Sequence, residues 1–325
     1  MKKVIFCVCM TAFLFGTMET ALKLGGSELD SLQLTFLRFF IGGLLLVPFA
    51  VKEAKSNEVR LTVRDIGWLA VVGLTGIGIS MVCFQYGVDA SNASTAAPLF
   101  CINPLFTMVI AHLFTNEKMD KIKMIAMAIG LVAIVFMIRP WDLQAGNSVI
   151  GMVLMLVAAV TFAAYTVMGK RSIARIGTFL QTSVSFIIGA LMILVVILAT
   201  GRPVIEGISE NWKIVAYVSV MVTGLGYFFY FTAIKHSDAT TGSIAFFIKP
   251  AIAPVFAVVL LGETVMWNTV IGIVLLIIAS FLTIYDSKYK QTRIFEEKSR
   301  RGRKRDFDVK DLDLSEYEKN DDKDS

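Results

Sequence analysis

A lysine deep in an apolar run is the first residue in this sequence that could do chemistry. Lys249 lies nine residues into the run 240–261 and directly precedes Pro250, with Pro254 following. At a helical rise of 1.5 Å per residue this is about 14 Å from the end of the run. Inserting an ionised side chain at such depth costs about 2.5–3.5 kcal/mol, so it marks a functional-site candidate. Each proline removes an amide donor and frees an upstream carbonyl, and a helix broken in this way needs a cavity or polar neighbours. The expected chemistry is recognition of a carboxylate or another anionic group; the structural alternative is an ion pair.

Glu19 and Arg38 are the other two ionisable groups of this kind. They lie in the runs 4–24 and 31–51, at about 7–11 Å depth by the same rise, and a short connection makes the runs antiparallel neighbours. The pair is within reach, with Lys23 one turn from Glu19 as a competitor. Glu19 is alternatively a proton-binding group. Gln85, Tyr86 and Tyr165 add hydrogen-bonding groups, and Tyr227, Tyr230 and Phe231 follow i, i+3, i+4 spacing. Such a stripe ordinarily packs or faces lipid, but tyrosine hydroxyls at mid-depth need partners, which makes Tyr165, Tyr227 and Tyr230 candidates for a lining.

Other chemistries find no support. Cys7, Cys9, Cys83 and Cys101 sit in apolar runs without zinc-finger spacing, and two histidines are too few for a metal cluster. No HExxH, GxSxG or GxxxxGK[ST] motif occurs, so no metal, cofactor, enzymatic activity or ATP-driven step is expected. The net charge of +5 is no sign of nucleic-acid binding, because the basic excess sits beside the apolar runs.

The elements that must position these groups are membrane spans. Hydrophobic residues make up 56% of the 325, more than the surface of a soluble domain this size can accommodate. Ten runs of about 20 residues are predicted at 4–24, 31–51, 66–87, 94–114, 120–138, 149–168, 178–199, 213–233, 240–261 and 267–285. Trp68, Trp141, Trp212 and Trp267 fall at span starts or in loops, as an aromatic belt requires. Met1-Lys2-Lys3 imitates a signal peptide, but no small-x-small site follows and the run continues for a full span. Lys and Arg crowd the loops around 52–64, 118–123, 170–175 and 235, against only Arg139, Arg202 and Lys213 in the alternate loops. The positive-inside rule therefore puts both termini in the cytoplasm of a multi-pass cell-membrane protein.

Of the 57 charged residues, 23 lie in 287–325, a tail that begins basic at Arg300–Arg305 and ends acidic. It has too few apolar residues to fold alone. It is either a solvated topology anchor or a contact for anionic lipids.

The sequence also repeats itself. The segment NASTAAPLFCINPLFTMVIAHLFTNE from Asn92 matches DATTGSIAFFIKPAIAPVFAVVLLGE from Asp238 at 8 of 26 positions, including Pro104/Pro250 and Glu117/Glu263. Thr75-Gly76-Ile77-Gly78 recurs as Thr223-Gly224-Leu225-Gly226. Asn103 is then the neutral counterpart of Lys249. Five spans per repeat is odd, so the copies, 1–143 and 144–286, enter the membrane from opposite sides. Inverted repeats are a mark of secondary transporters, with the site at the repeat interface. Glu117 and Glu263 end spans 4 and 9 and are expected to cap the helices that follow them.

Ten spans, the doubled Pro-(x12)-Glu pattern and Leu37-Arg38-Phe39-Phe40 in span 2 resemble the bacterial drug/metabolite transporter superfamily, in its EamA-type ten-helix branch. The resemblance covers residues 1–286. It implies an all-α permease of two inverted five-helix bundles around a central cavity. The combined expectation is alternating-access transport of a small metabolite, an amino acid or related solute, in the export direction. The substrate-binding set is Lys249, Asn103, Glu19, Arg38, Gln85, Tyr165, Tyr227 and Tyr230. The rival expectations are a channel and a membrane scaffold or receptor.

Overall fold

The computed structural model describes residues 2–25, 29–90, 99–117, 119–138, 148–261, 267–268, 270–279, 281–283 and 285. The chain forms two compact units, Met1–Thr283 and Ile284–Ser325, and the helices belong to the first. The charged tail, Trp141 and Glu263 lie outside the described residues.

The described chain is helical. We number its main helices α1 (Lys2–Leu22), α2 (Ser31–Ser56), α3 (Val63–Asp89), α4 (Asn103–Phe114), α5 (Lys121–Ile138), α6 (Val149–Ile176), α7 (Thr178–Ala199), α8 (Ile208–Lys235), α9 (Ala239–Leu260) and α10 (Val270–Thr283). Among the described residues, seven of them (α1–α3 and α6–α9) are long and apolar enough to cross a membrane. Several run further than hydropathy predicts, because polar residues extend them past the apolar core: α2 continues through Lys52–Ser56, and α6 through Lys170–Ile176. Their starts are set by side chains. Asp30 accepts from the amides of Leu32 and Gln33 while Gln33 returns the bond, and Thr62 and Asp65 do the same for α3.

The packing repeats under exchange of each helix for the one five later. The helix α2 packs along α7; α1 packs on α8 and α9, and α6 packs correspondingly on α3 and α4. This is the pattern of two five-helix repeats joined about a pseudo-twofold axis, and the helices of one repeat pack mainly on those of the other. Hydrogen bonds reinforce the seam where lipid offers no hydrophobic drive: Ser80 Oγ donates to the Ala158 carbonyl and Ser183 Oγ to the Gly43 carbonyl, both at 2.8 Å.

Equivalent helices also share an irregularity. Both α3 and α8 widen to π-helix, at Leu74–Met81 and Tyr217–Leu225; the first contains the duplicated Thr-Gly-x-Gly, and the second ends within it, at Leu225. Such turns concentrate at functional sites because the extra residue per turn displaces side chains and backbone bonds. Here they leave the buried hydroxyls of Ser219 and Thr223 without a hydrogen bond among the described residues.

The bundle has two ends. The near end holds the chain start, where Lys3 Nζ lies 3.0 Å from His236 Nε2. The far end holds Asp30 and Arg202, whose carboxylate and guanidinium pair at 2.8 Å.

Candidate functional site

The middle of the bundle holds two cations in an apolar wall. Arg38, on α2, is 1% exposed. Its Nη1 and Nη2 donate to the sulfurs of Met18 at 3.0 Å and Met81 at 3.6 Å, and its guanidinium lies 4.9 Å from the centre of the Phe39 ring. Lys249, on α9, is equally buried, and its Nζ lies 5.9 Å from the Phe84 ring centre. Soft sulfur and ring faces are among the groups that can stabilise a buried cation.

An aromatic network joins the two. Phe84 contacts Phe100, which contacts Phe162 and Phe246; those rings reach Tyr230, and Phe162 also reaches Tyr165 and Tyr227. The three tyrosines thus face inward, all buried. The Tyr227 hydroxyl donates to the same Met81 sulfur that Arg38 touches, at 3.7 Å, and the Tyr230 hydroxyl pairs with Thr166 Oγ1 at 2.6 Å. Tyr165 fills the space left by Gly76: any β-carbon there would collide with its ring, so the π-helical turn and the tyrosine fit only through glycine.

The remaining predicted residues divide. Gln85 Nε2 reaches Asp89 at 3.4 Å while its buried Oε1 has no partner among the described residues. Asn103 accepts from Thr107 at 3.3 Å, and its Nδ2 is likewise buried and unpartnered there. The side chains of Glu19 and Lys23 lie outside the described residues. By position Glu19 follows Met18, which touches Arg38. The helix break expected at Pro250 falls earlier, at the Ile244 turn, where Phe247 N donates back to the Ile244 carbonyl at 2.8 Å.

One expectation is corrected. Glu117 caps a helix N-terminus, but not that of α5, which follows it. Its carboxylate accepts from Ala239 N at 2.9 Å and Thr240 Oγ1 at 3.0 Å, at the start of α9 in the other repeat, and from Lys170 Nζ at 2.9 Å on α6. Burial alone would raise the Glu117 carboxyl, but the Lys170 ammonium and the Ala239 amide outweigh it and hold it below the usual range. The sequence reading missed a second such carboxylate. Glu53 accepts from the amides of Thr178, Phe179 and Leu180 at 3.0, 2.7 and 3.3 Å, capping α7, and from Lys235 at 3.4 Å. The seat is made by Gly177 at φ +94°, a conformation that favours glycine and leaves room for the carboxylate where a β-carbon would stand. Asp65–Arg175 at 2.6 Å and Lys123–Asp238 at 3.9 Å complete the near end.

Comparison with known proteins decides what this arrangement belongs to. The sequence profile of the EamA-like transporter family matches twice, over residues 2–139 and 149–285. The chain belongs to the EamA-like transporter family. This EamA-family protein is a multi-pass membrane transporter, and each of the five ion pairs just given joins its first family match to its second. It is similar to an uncharacterized transporter of Clostridium kluyveri, 36% identical over 295 residues, which cover 89% of this chain and 95% of that one. It is also similar to the S-adenosylmethionine uptake transporter of Rickettsia prowazekii, 24% identical over 268 residues, 81% of this chain and 86% of that one. A chain of known crystal structure superposes with a TM-score of 0.71 at 17% identity, covering 89% of this chain and 98% of its own, a likeness of fold.

Proposed function

We propose that this transporter moves a small metabolite with a carboxylate or similar anionic group on an apolar or aromatic body, an amino acid or a related solute, by alternating access. The observation that carries the reading is the burial of Arg38 and Lys249, each 1% exposed, within one aromatic network. An ionisable side chain at such depth in a membrane helix is by default a functional-site candidate, whether or not it is paired. In the proposed site, Lys249 and Arg38 take the anionic group, Tyr165, Tyr227 and Tyr230 line the body of the substrate, and Gln85 and Asn103 offer polar groups at the margin. Glu19 is the coupling carboxylate, next in sequence to the Met18 that touches Arg38. The Rickettsia transporters are named for a solute with an amino-acid head and a flat aromatic base, which falls within this class. Export is the proposed direction, with both termini in the cytoplasm, so that the near end is the cytoplasmic one.

The test is Lys249→Gln in proteoliposomes with amino acids and their carboxyl-blocked amides as substrates. Removing the charge should weaken carboxylate substrates about 10–150-fold, as expected when a hydrogen bond to a charged group is lost, and leave the amides unchanged. Equal affinity for both in wild type and variant would reject the reading. Saturable flux that accelerates with substrate on the opposite side separates a transporter from a channel.

A further inference from the structure

A second polar site lies away from the centre, at the near end between the first turns of α3 and the last turns of α6. It is a cavity of about 680 Å³ whose lining includes Arg64, Asp65, Trp68, Arg171 and Arg175. Its charge balance is uneven. The Asp65 carboxylate is already engaged, by both terminal nitrogens of Arg175 at 2.6 and 3.0 Å and by Thr62. Arg64 and Arg171 are exposed and have no ion pair among the described residues, so the cavity presents two guanidinium groups. Trp68 lines it: the indole N–H donates to Ser172 Oγ at 2.9 Å, and the Arg171 guanidinium lies 5.6 Å from the ring centre. A tryptophan beside an arginine at the end of a membrane span is placed at headgroup depth.

The cavity also opens onto an apolar track. At Gly67 nothing lies within 4 Å of where a side chain would begin, and the next turns of α3 leave Val71 and Leu74 exposed. We propose that this pocket binds an anionic phospholipid, with the phosphate between Arg64 and Arg171 and an acyl chain along Gly67, Val71 and Leu74. Guanidinium forks match phosphate oxygens bidentately, and basic pockets between membrane helices take such headgroups. The track distinguishes a lipid from a free phosphate ion, which would need the arginines alone. Because α3 and α6 belong to different repeats, the bound lipid bridges them at their seam.

The experiment is native mass spectrometry of the purified full-length protein with dioleoyl phosphatidylglycerol, dioleoyl phosphatidylcholine or inorganic phosphate added. Phosphatidylglycerol should be retained over phosphatidylcholine, and Arg64→Gln/Arg171→Gln should weaken it about tenfold or more. Arg64→Lys/Arg171→Lys, keeping the charge, should retain it. Equal retention of both lipids by the wild type would overturn the proposal without any variant. So would unchanged phosphatidylglycerol binding in the glutamine variant, which would point to the basic tail. Displacement of the lipid by inorganic phosphate at equal concentration would make this a free-anion site instead.

Discussion

The two ends of the bundle are tied differently. At the near end, among the described residues, four ion pairs cross from one repeat to the other, and two of their carboxylates also cap helices of the opposite repeat. At the far end, among the described residues, one ion pair crosses, Asp30–Arg202, helped by Gln33 Nε2 donating to the Glu206 carbonyl at 2.8 Å and by the Thr17–Tyr217 hydroxyl pair at 2.7 Å. Exposed ion pairs are each worth about 0–1 kcal/mol, and a carboxylate at a helix N-terminus adds about 0.3–1 kcal/mol. The near end is therefore latched by a few kcal/mol. That is enough to bias a two-state equilibrium and small enough for a substrate to reverse. Among the described residues, the pseudo-symmetric packing is therefore tied unequally at its two ends.

The largest effect should come from removing both capping carboxylates. Glu53→Gln/Glu117→Gln leaves Lys170 and Lys235 without these partners and weakens the caps of α7 and α9, and should destabilise the protein in detergent by about 2–4 kcal/mol. A thermal melt reads this directly. Gly177→Ala should cost about 1–3 kcal/mol at a single residue, because the +94° φ is strained for alanine and its methyl collides with Glu53. If Glu53 is the reason for that glycine, Gly177→Ala in a Glu53→Gln background should cost less than in the wild type.

The pH dependence sharpens the same contrast. The folded-state pKa of Glu117 is lowered below its ordinary 4.5. Its contribution is thus complete above pH 4.5 and is lost as the pH falls through the lower folded value. Melts below pH 4.5 should show that acid limb in wild type and a flatter one in Glu117→Gln. Asp30→Asn at the far end should give the smallest effect, about 1 kcal/mol or less.

Much of this was legible beforehand, and the gaps have a common cause. Apolar runs and the doubled Pro-(x12)-Glu pattern are local, so the spans and the repeat could be read from sequence. The i, i+3, i+4 spacing of Tyr227, Tyr230 and Phe231 defined a face but not whether it turned to lipid or inward; the neighbouring helices α1, α6 and α9 decided that. Glu117 could be recognised as a cap, yet the N-terminus it reaches is 122 residues away in sequence. Glu53 was masked by the lysines around it, which dominate a topology count, and its seat depends on a positive φ at Gly177 that sequence does not reveal. The Thr-Gly-x-Gly duplication was visible, but a π-helical turn is a matter of backbone bonding. The sulfurs of Met18 and Met81 gave no signal, since methionine in a span reads as ordinary apolar filler.

Alternating access through a near-end latch is tested most directly by electron–electron distance measurements. One spin-label pair bridges the near end at Ser56 and Ala174, and another the far end at Asp89 and Ser209, in a protein with its native cysteines replaced. Comparing the wild type with Glu53→Gln/Glu117→Gln in lipid bilayers, the account predicts that the near-end distances lengthen and broaden while the far-end distances shorten. Near-end distances that stay unchanged when both carboxylates are removed, or far-end distances that lengthen with them, would contradict it.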